Sequence, residues 1–285
     1  MSIVVLYESD EWSTYALRDY IAQSGIPLQL VNMEENINKD LFETCNLVVN
    51  RVFASSQFRN HQKSLAQTPE LLSWLDEKKI PVVNASQAHS YEISKYLSTT
   101  TLAKYGISVP DVYGVVRKGK DNSFEMQYPC IMKPNCGGRT NYTFILHNEQ
   151  EFQNALQQIP DIEMIVEQYI EPVKGFLTRI EVIGGECRLI VKRSVTENGL
   201  SAYHLGSKYE IYADCREEIR DTAVKAMELL NIEFGSMDII ENEDGFYIID
   251  INAVSNASED NTEMFHFDLM LETAKYIVEK YKVLQ

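Results

Sequence analysis

The chain has 285 residues, with 42 acidic side chains against 26 basic ones and a formal charge of −16. Its 45% apolar and 24% charged residues suit a globular protein of roughly two domains and exclude wholesale disorder. Acidity of this size argues against nucleic-acid and membrane-surface partners, and no apolar run approaches the ~18 residues that cross a bilayer, so the chain is expected to be soluble and cytoplasmic.

The first ninety residues alternate β-rich runs, Ile3–Tyr7 and residues 28–31, 47–52 and 81–84, with helical stretches near 12–24 and 69–78. This is the order of a parallel α/β lobe. Neither G-x-G-x-x-G nor G-x-x-x-x-G-K-[ST] follows the first run, so the lobe lacks the usual glycine devices for nucleotide. A helix over 92–105 follows, with Gly106 as its stop and Pro110 beyond. Strands at Cys130–Pro134 and 142–147 lead into a helix capped by Asn148 with Glu151, whose inner face carries Phe152, Ala155, Leu156 and Ile159.

Strands near 163–170, 176–184 and 186–195 come next. A helix over 216–231 then shows the stripe Ile219, Ala223, Ala226, Met227 and Leu230. A hairpin over 233–254 precedes a last helix carrying Met270, Ala274, Ile277, Val278 and Tyr281. The fold class is α/β plus α+β, divided into an N-terminal lobe (1–90), a central unit (91–165) and a C-terminal unit (166–285). Five cysteines, Cys45, Cys130, Cys136, Cys187 and Cys215, lack a CxxC spacing and are read as reduced thiols.

The hairpin brings two carboxylates together. With Glu243, Asp244 and Gly245 as a three-residue turn, Asn242 pairs with Phe246 and Asp238 stands opposite Asp250; a two-residue Asp–Gly turn would set Asp238 opposite Ile251. Hydrophobic sorting favours the first register, which gathers Met237, Ile239, Tyr247, Ile249 and Ile251 on one face and Ser236, Asp238, Asp250 and Asn252 on the other. Carboxylates about 5 Å apart at Cβ repel unless a cation lies between them or one takes up a proton. With the Asn252 amide oxygen they form a hard oxygen set suited to Mg²⁺.

Taken together, these segments resemble the ATP-grasp superfamily, and within it the RimK-like carboxylate–amine ligases. Four stretches carry the likeness: Ser94-Lys95 with its helix, Ile131-Met132-Lys133-Pro134, Val166-Glu167-Gln168-Tyr169-Ile170, and the pair Ser236-Met237-Asp238 and Ile249-Asp250-Ile251-Asn252. The resemblance implies an ATP-grasp fold behind an N-terminal α/β lobe. It also implies that Lys95 and Lys133 reach the α- and β-phosphates, and that Glu167, Gln168, Tyr169 and Ile170 form the adenine hinge. Asp238, Asp250 and Asn252 would hold one or two Mg²⁺, with Mn²⁺ an alternative, and Arg179 would stand at the γ-phosphate.

Gly137 and Gly138, in the stretch from Asn135 to Arg139, let backbone amides approach phosphate oxygens. Lys174 is placed at the ribose or a phosphate, Arg193 at a substrate carboxylate and Arg51 at a substrate mouth. His204 is read as a surface residue before a base. The sequence departs from the family in its glycine-poor phosphate loop, with Cys136, Arg139 and Thr140, and in Asp250 where glutamate is usual. Leu177 stands where an acid is usual, and an Arg-x-Asn segment after Arg193 is lacking.

The expected activity is ATP- and Mg²⁺-dependent joining of a small-molecule acid to an amine, a peptide or protein acceptor or a homo-oligomer being open. A phosphotransferase and a non-catalytic nucleotide-binding partner are the rival readings.

Overall fold

The computed structural model describes residues 2–120, 124–202, 205–243 and 245–285, so Tyr203, His204 and Asp244 lie outside the described residues. Strands β1 (Ile3–Tyr7), β2 (Leu28–Asn32), β3 (Leu47–Asn50) and β4 (Val82–Val83) form a parallel sheet in the order β2-β1-β3-β4. A parallel sheet needs cover on both faces. Val4, Leu6 and Val48 pack toward α2 (Gln62–Glu77), whereas Ile3, Val5, Leu47 and Val49 pack toward α1 (Trp12–Ala22) and the last helix of the chain.

Helix α2 begins seven residues before its expected start and runs through Pro69. An interior proline costs roughly 3 kcal/mol. The buried stripe Leu71, Leu72 and Leu75, with Leu65 beside it, offsets that cost. The single helix expected over 92–105 is two, α3 (Ser86–Glu92) and α4 (Lys95–Lys104), because Ser94 turns outward and its Oγ accepts the Leu97 N–H at 3.2 Å.

The second sheet is antiparallel, in the order β5-β8-β6-β7, from β5 (Val112–Val116), β6 (Cys130–Pro134), β7 (Phe144–Leu146) and β8 (Met164–Gln168). Helix α5 (Glu149–Gln158) covers it through Phe152, Ala155 and Leu156. Its cap is the expected one, since Asn148 Oδ1 accepts the Glu151 N–H at 3.0 Å. Strand β5 was not expected, because Gly114 interrupts its apolar run. That glycine is required: a Cβ there would stand 2.8 Å from the Phe124 ring. The boundary between residues 165 and 166 falls inside β8.

The third sheet is also antiparallel, β11-β10-β9-β12-β13, from β9 (Phe176–Ile183), β10 (Glu186–Ser194), β11 (Tyr209–Ile211), β12 (Phe234–Asn242) and β13 (Gly245–Asn252). One face packs on α6 (Glu217–Leu229) through Ile219, Ala223, Ala226 and Met227. The chain continues into α7 (Glu259–Phe265), which was not expected, and α8 (Leu269–Val283).

The β12–β13 hairpin satisfies neither expected register throughout. Asn242 faces Gly245, Ile239 faces Ile248, Ile249 is skipped, and from there Asp238 faces Asp250 as expected. This bulge splits the expected apolar face. Met237, Ile239, Ile248 and Ile251 stay in the core over α6, while Tyr247 and Ile249 turn to the other face beside Ile170, Leu177 and Ile240.

Candidate active site

The face of the third sheet turned away from α6 lines a cleft of about 660 Å³, within the range of small-molecule sites. Cross-strand pairing sets out its polar side chains in rows. Arg179, Asp238 and Asp250 stand abreast on β9, β12 and β13, and Glu181, Ser236 and Asn252 stand abreast two residues along. Because strand side chains alternate, both rows share one face.

Arg179 is the hub of these rows. Its Nε donates to Glu181 Oε1 at 2.8 Å, Nη1 to Asp238 Oδ1 at 3.2 Å and Nη2 to Ser236 Oγ at 2.6 Å. Arg193 reaches diagonally from β10, its Nη1 donating to both Asp238 oxygens at 2.9 and 3.0 Å and its Nη2 to the Ser201 carbonyl at 2.8 Å. Burial alone would raise the Asp238 pKa, but Arg193 and Arg179 outweigh it and hold the carboxyl below its ordinary value. Burial likewise opposes charge on Arg179, and Glu181 with Asp238 more than restores it, raising its pKa.

Two lysines approach from the other side. Lys95, the first residue of α4, is buried and its ammonium pairs with Asp250. Its backbone N–H donates to the Asn135 carbonyl at 2.9 Å, and the Tyr96 N–H to Asn135 Oδ1 at 2.8 Å, so the end of β6 fixes the start of the helix. Lys133 on β6 pairs with Glu167 at 2.6 Å and donates to the Ile249 carbonyl at 2.8 Å. Burial raises the Glu167 pKa, with Lys133 opposing. Glu167 Oε2 is buried with no hydrogen-bond partner among the described residues and so remains available to a donor.

Gln168, Tyr169, Ile170, Gly137 and Gly138 also line the cleft. The loop carrying the two glycines rests on the first lobe. A Cβ at Gly137, where φ is +149°, would meet the Phe58 ring at 2.6 Å, Phe58 packs on Tyr142, and Arg139 donates to Glu11 Oε1 at 3.2 Å. Burial pushes the Cys136 thiol up to about 12, which leaves it unreactive.

Two expected site residues stand elsewhere. Arg51 does not line the cleft: its N–H donates to the Leu6 carbonyl at 3.0 Å, and its 1% exposed side chain turns between the lobes to Ser13, Thr14 and the Ser255 carbonyl. Lys174 donates to Glu241 Oε2 at 2.8 Å. Glu241 is one residue past Ile240 and therefore points to the α6 side of the sheet, away from the cleft.

Sequence reasoning overlooked Glu92 and the segment from Asn256 to Leu269, which both contribute to the cleft. Glu92 accepts the Ala54 N–H at 2.9 Å and the Ala253 N–H at 2.6 Å, tying the first lobe to the residue after Asn252. The Ser258-x-x-Asn261 capping box that opens α7 was the available signal for the distal segment.

Asp238, Asp250 and Asn252 offer hard oxygens to a divalent cation, and among the described residues no three His, Cys, Asp or Glu side chains converge to hold one. Phosphate oxygens would complete such a site.

The arrangement is that of an ATP-binding grasp between two sheets. A RimK domain ATP-grasp protein from Sphaerobacter thermophilus superposes with a TM-score of 0.70 at 16% identity, over 97% of this chain and 99% of that one. The ATP-grasp ligase PsnB, in complex with a minimal precursor, Mg and ADP, gives 0.67 at 16% identity, over 98% and 97%. These likenesses establish the ATP-grasp fold. Residues 93–280 match the RimK-like ATP-grasp domain, and the chain belongs to that family. A probable alpha-L-glutamate ligase of Pasteurella multocida is 24% identical over 221 residues, which are 75% of this chain and 70% of that protein.

Proposed function

We propose that this chain is an ATP- and Mg²⁺-dependent carboxylate–amine ligase. The observation that carries the reading is the triple row in which Arg179, Asp238 and Asp250 face one cleft, with Lys95 on one acid and Arg193 on the other. Each cation here has a carboxylate as its partner. A nucleotide entering with a divalent cation offers both sets an exchange, phosphate oxygens for Lys95, Lys133 and Arg179, and metal for Asp238, Asp250 and Asn252.

Gln168, Tyr169 and Ile170 supply the hinge for the adenine, and Glu167 Oε2 is the acceptor for its amino group. The substrate carboxylate, steered by Arg193, attacks the γ-phosphorus in line. A C–O–P bond forms, the bond from the γ-phosphorus to the bridging oxygen breaks, and ADP leaves. The amine nitrogen then attacks the acyl carbon, the C–N bond forms, phosphate departs and the amine loses a proton to solvent. Bound Mg²⁺ would supply Lewis-acid stabilisation of phosphate charge.

We take residues 91–165 as the unit that closes over the nucleotide, its 135–141 loop keeping water from the acyl-phosphate. A small-molecule acid and amine are the partners, with a peptide as a further acceptor.

Release of ADP that needs Mg²⁺ and an acid, with amide mass appearing only when an amine is added, is the expected result. Phosphorylated acid that persists in the presence of amine would favour a phosphotransferase. Nucleotide binding without ADP release would leave a binding protein. Loss of ADP release is expected for both Lys133→Ala and Asp250→Asn.

A further inference from the structure

The ligase reading leaves the acid unnamed, and the distal end of the cleft narrows its class. Tyr209 is the cross-strand partner of Arg193, and its ring lies 5.8 Å from the guanidinium carbon. The same ring packs on Phe265 of α7, with centroids 6.5 Å apart and planes at 49°. Phe265 is buried yet joins none of the apolar cores among the described residues, so the surface it shares with Tyr209 lines the cleft rather than filling the interior. Val254 extends this apolar wall.

Charge at this end points the same way. Residues 254–269, which supply this end of the lining, include no lysine or arginine, while Asp260 stands on α7. A second carboxylate on the substrate would therefore meet apolar surface and an acid, a costly burial without a partner.

We propose that the acid activated here is a monocarboxylate bearing an aromatic or large aliphatic group, which lies against Tyr209 and Phe265 while its carboxylate meets Arg193. The proposal rests on the ligase reading. The flat faces of two rings suit an aromatic group by offset or edge contact, and a well-filled apolar pocket discriminates by about tenfold or more.

The test uses the whole protein with ATP, Mg²⁺ and hydroxylamine as a generic amine, reading ADP release and hydroxamate for phenylalanine, leucine, hydrocinnamate, alanine and glutamate. At least a tenfold higher kcat/KM for phenylalanine, leucine and hydrocinnamate than for glutamate is expected, with alanine between them. Phe265→Ser should cut that ratio by about tenfold. Phenylalanine should also bind the ADP-loaded wild-type protein at least tenfold more tightly than glutamate, a measurement that needs no variant. Equal or better use of glutamate overturns the proposal and leaves the ligase reading standing. ADP release and hydroxamate absent with every acid overturn the ligase reading itself, and this proposal with it.

Discussion

The Lys133 ammonium donates to the carbonyl oxygen of Ile249 at 2.8 Å, and Ile249 is the residue of β13 that β12 leaves unpaired. The bulge thus frees a carbonyl from the ladder and gives it to a lysine on another sheet. It also turns Ile249 into the cleft and restores Asp250 to a place opposite Asp238. One extra residue joins the two sheets and sets the carboxylate pair.

Replacing Lys133 by alanine should remove a phosphate ligand and leave Glu167 buried without its cation. Glu167, already raised by burial, then takes up a proton, which limits the loss of stability. Nucleotide affinity is expected to fall by roughly 30- to 100-fold, about 2–3 kcal/mol, in calorimetric titration with ATP. Affinity within threefold of wild type would remove Lys133 from the phosphate site.

Asp238→Asn should lower stability as well as weaken metal binding. Arg179 and Arg193 would be left sharing a neutral amide in a buried site, at a cost of about 3 kcal/mol. Urea unfolding measures it. A midpoint equal to wild type would mean that Glu181 and the Ser201 carbonyl suffice to hold the two guanidinium groups.

Gly137→Ala places a Cβ against Phe58 and asks alanine to adopt a φ of +149°. A stability loss of about 1–3 kcal/mol and at least tenfold weaker ATP binding are expected. Adding Phe58→Ala relieves only the clash, so it should recover part of the stability. Full recovery would show that backbone strain contributes nothing.

Acid should weaken the fold through His89. The ring is 2% exposed, faces the Asn50 amide at 3.3 Å, and burial lowers its pKa to about 4 from 6.5. Between those values the unfolded chain binds the proton that the folded chain refuses. The stability tied to the neutral ring is therefore complete above pH 6.5 and is lost as pH falls toward 4, by roughly 3 kcal/mol at full extent. Unfolding free energies measured across this window should fall, and His89→Gln should flatten the slope.

How much of this was legible in the sequence depended on the range of the interaction. Asp238 opposite Asp250 could be read because strand alternation is local, and Asn148 with Glu151 because capping is local. The bulge could not, since it exists to serve Lys133, over a hundred residues away in sequence. Lys174 was placed at the ribose or a phosphate from its position in the sequence, whereas its partner Glu241, far along the chain, lies on the α6 side of the sheet. Arg51 was placed at a substrate mouth because it ends a strand of the first lobe, but the packing of α1 and the Ser255 segment, both distant in sequence, encloses it.

The placement of α8 bears on the order in which the molecule can be made. Leu269, Met270, Ala274 and Ile277 complete one face of the sheet that begins with Ile3 and Val5, and Tyr20 donates to Asp268 at 2.5 Å. During synthesis the first sheet therefore emerges with an apolar face that α1 covers only in part. It stays so until the rest of both nucleotide-binding sheets has been made. The first lobe is first in sequence but among the last regions to reach its final packing, which makes that early interval the point of greatest exposure to aggregation.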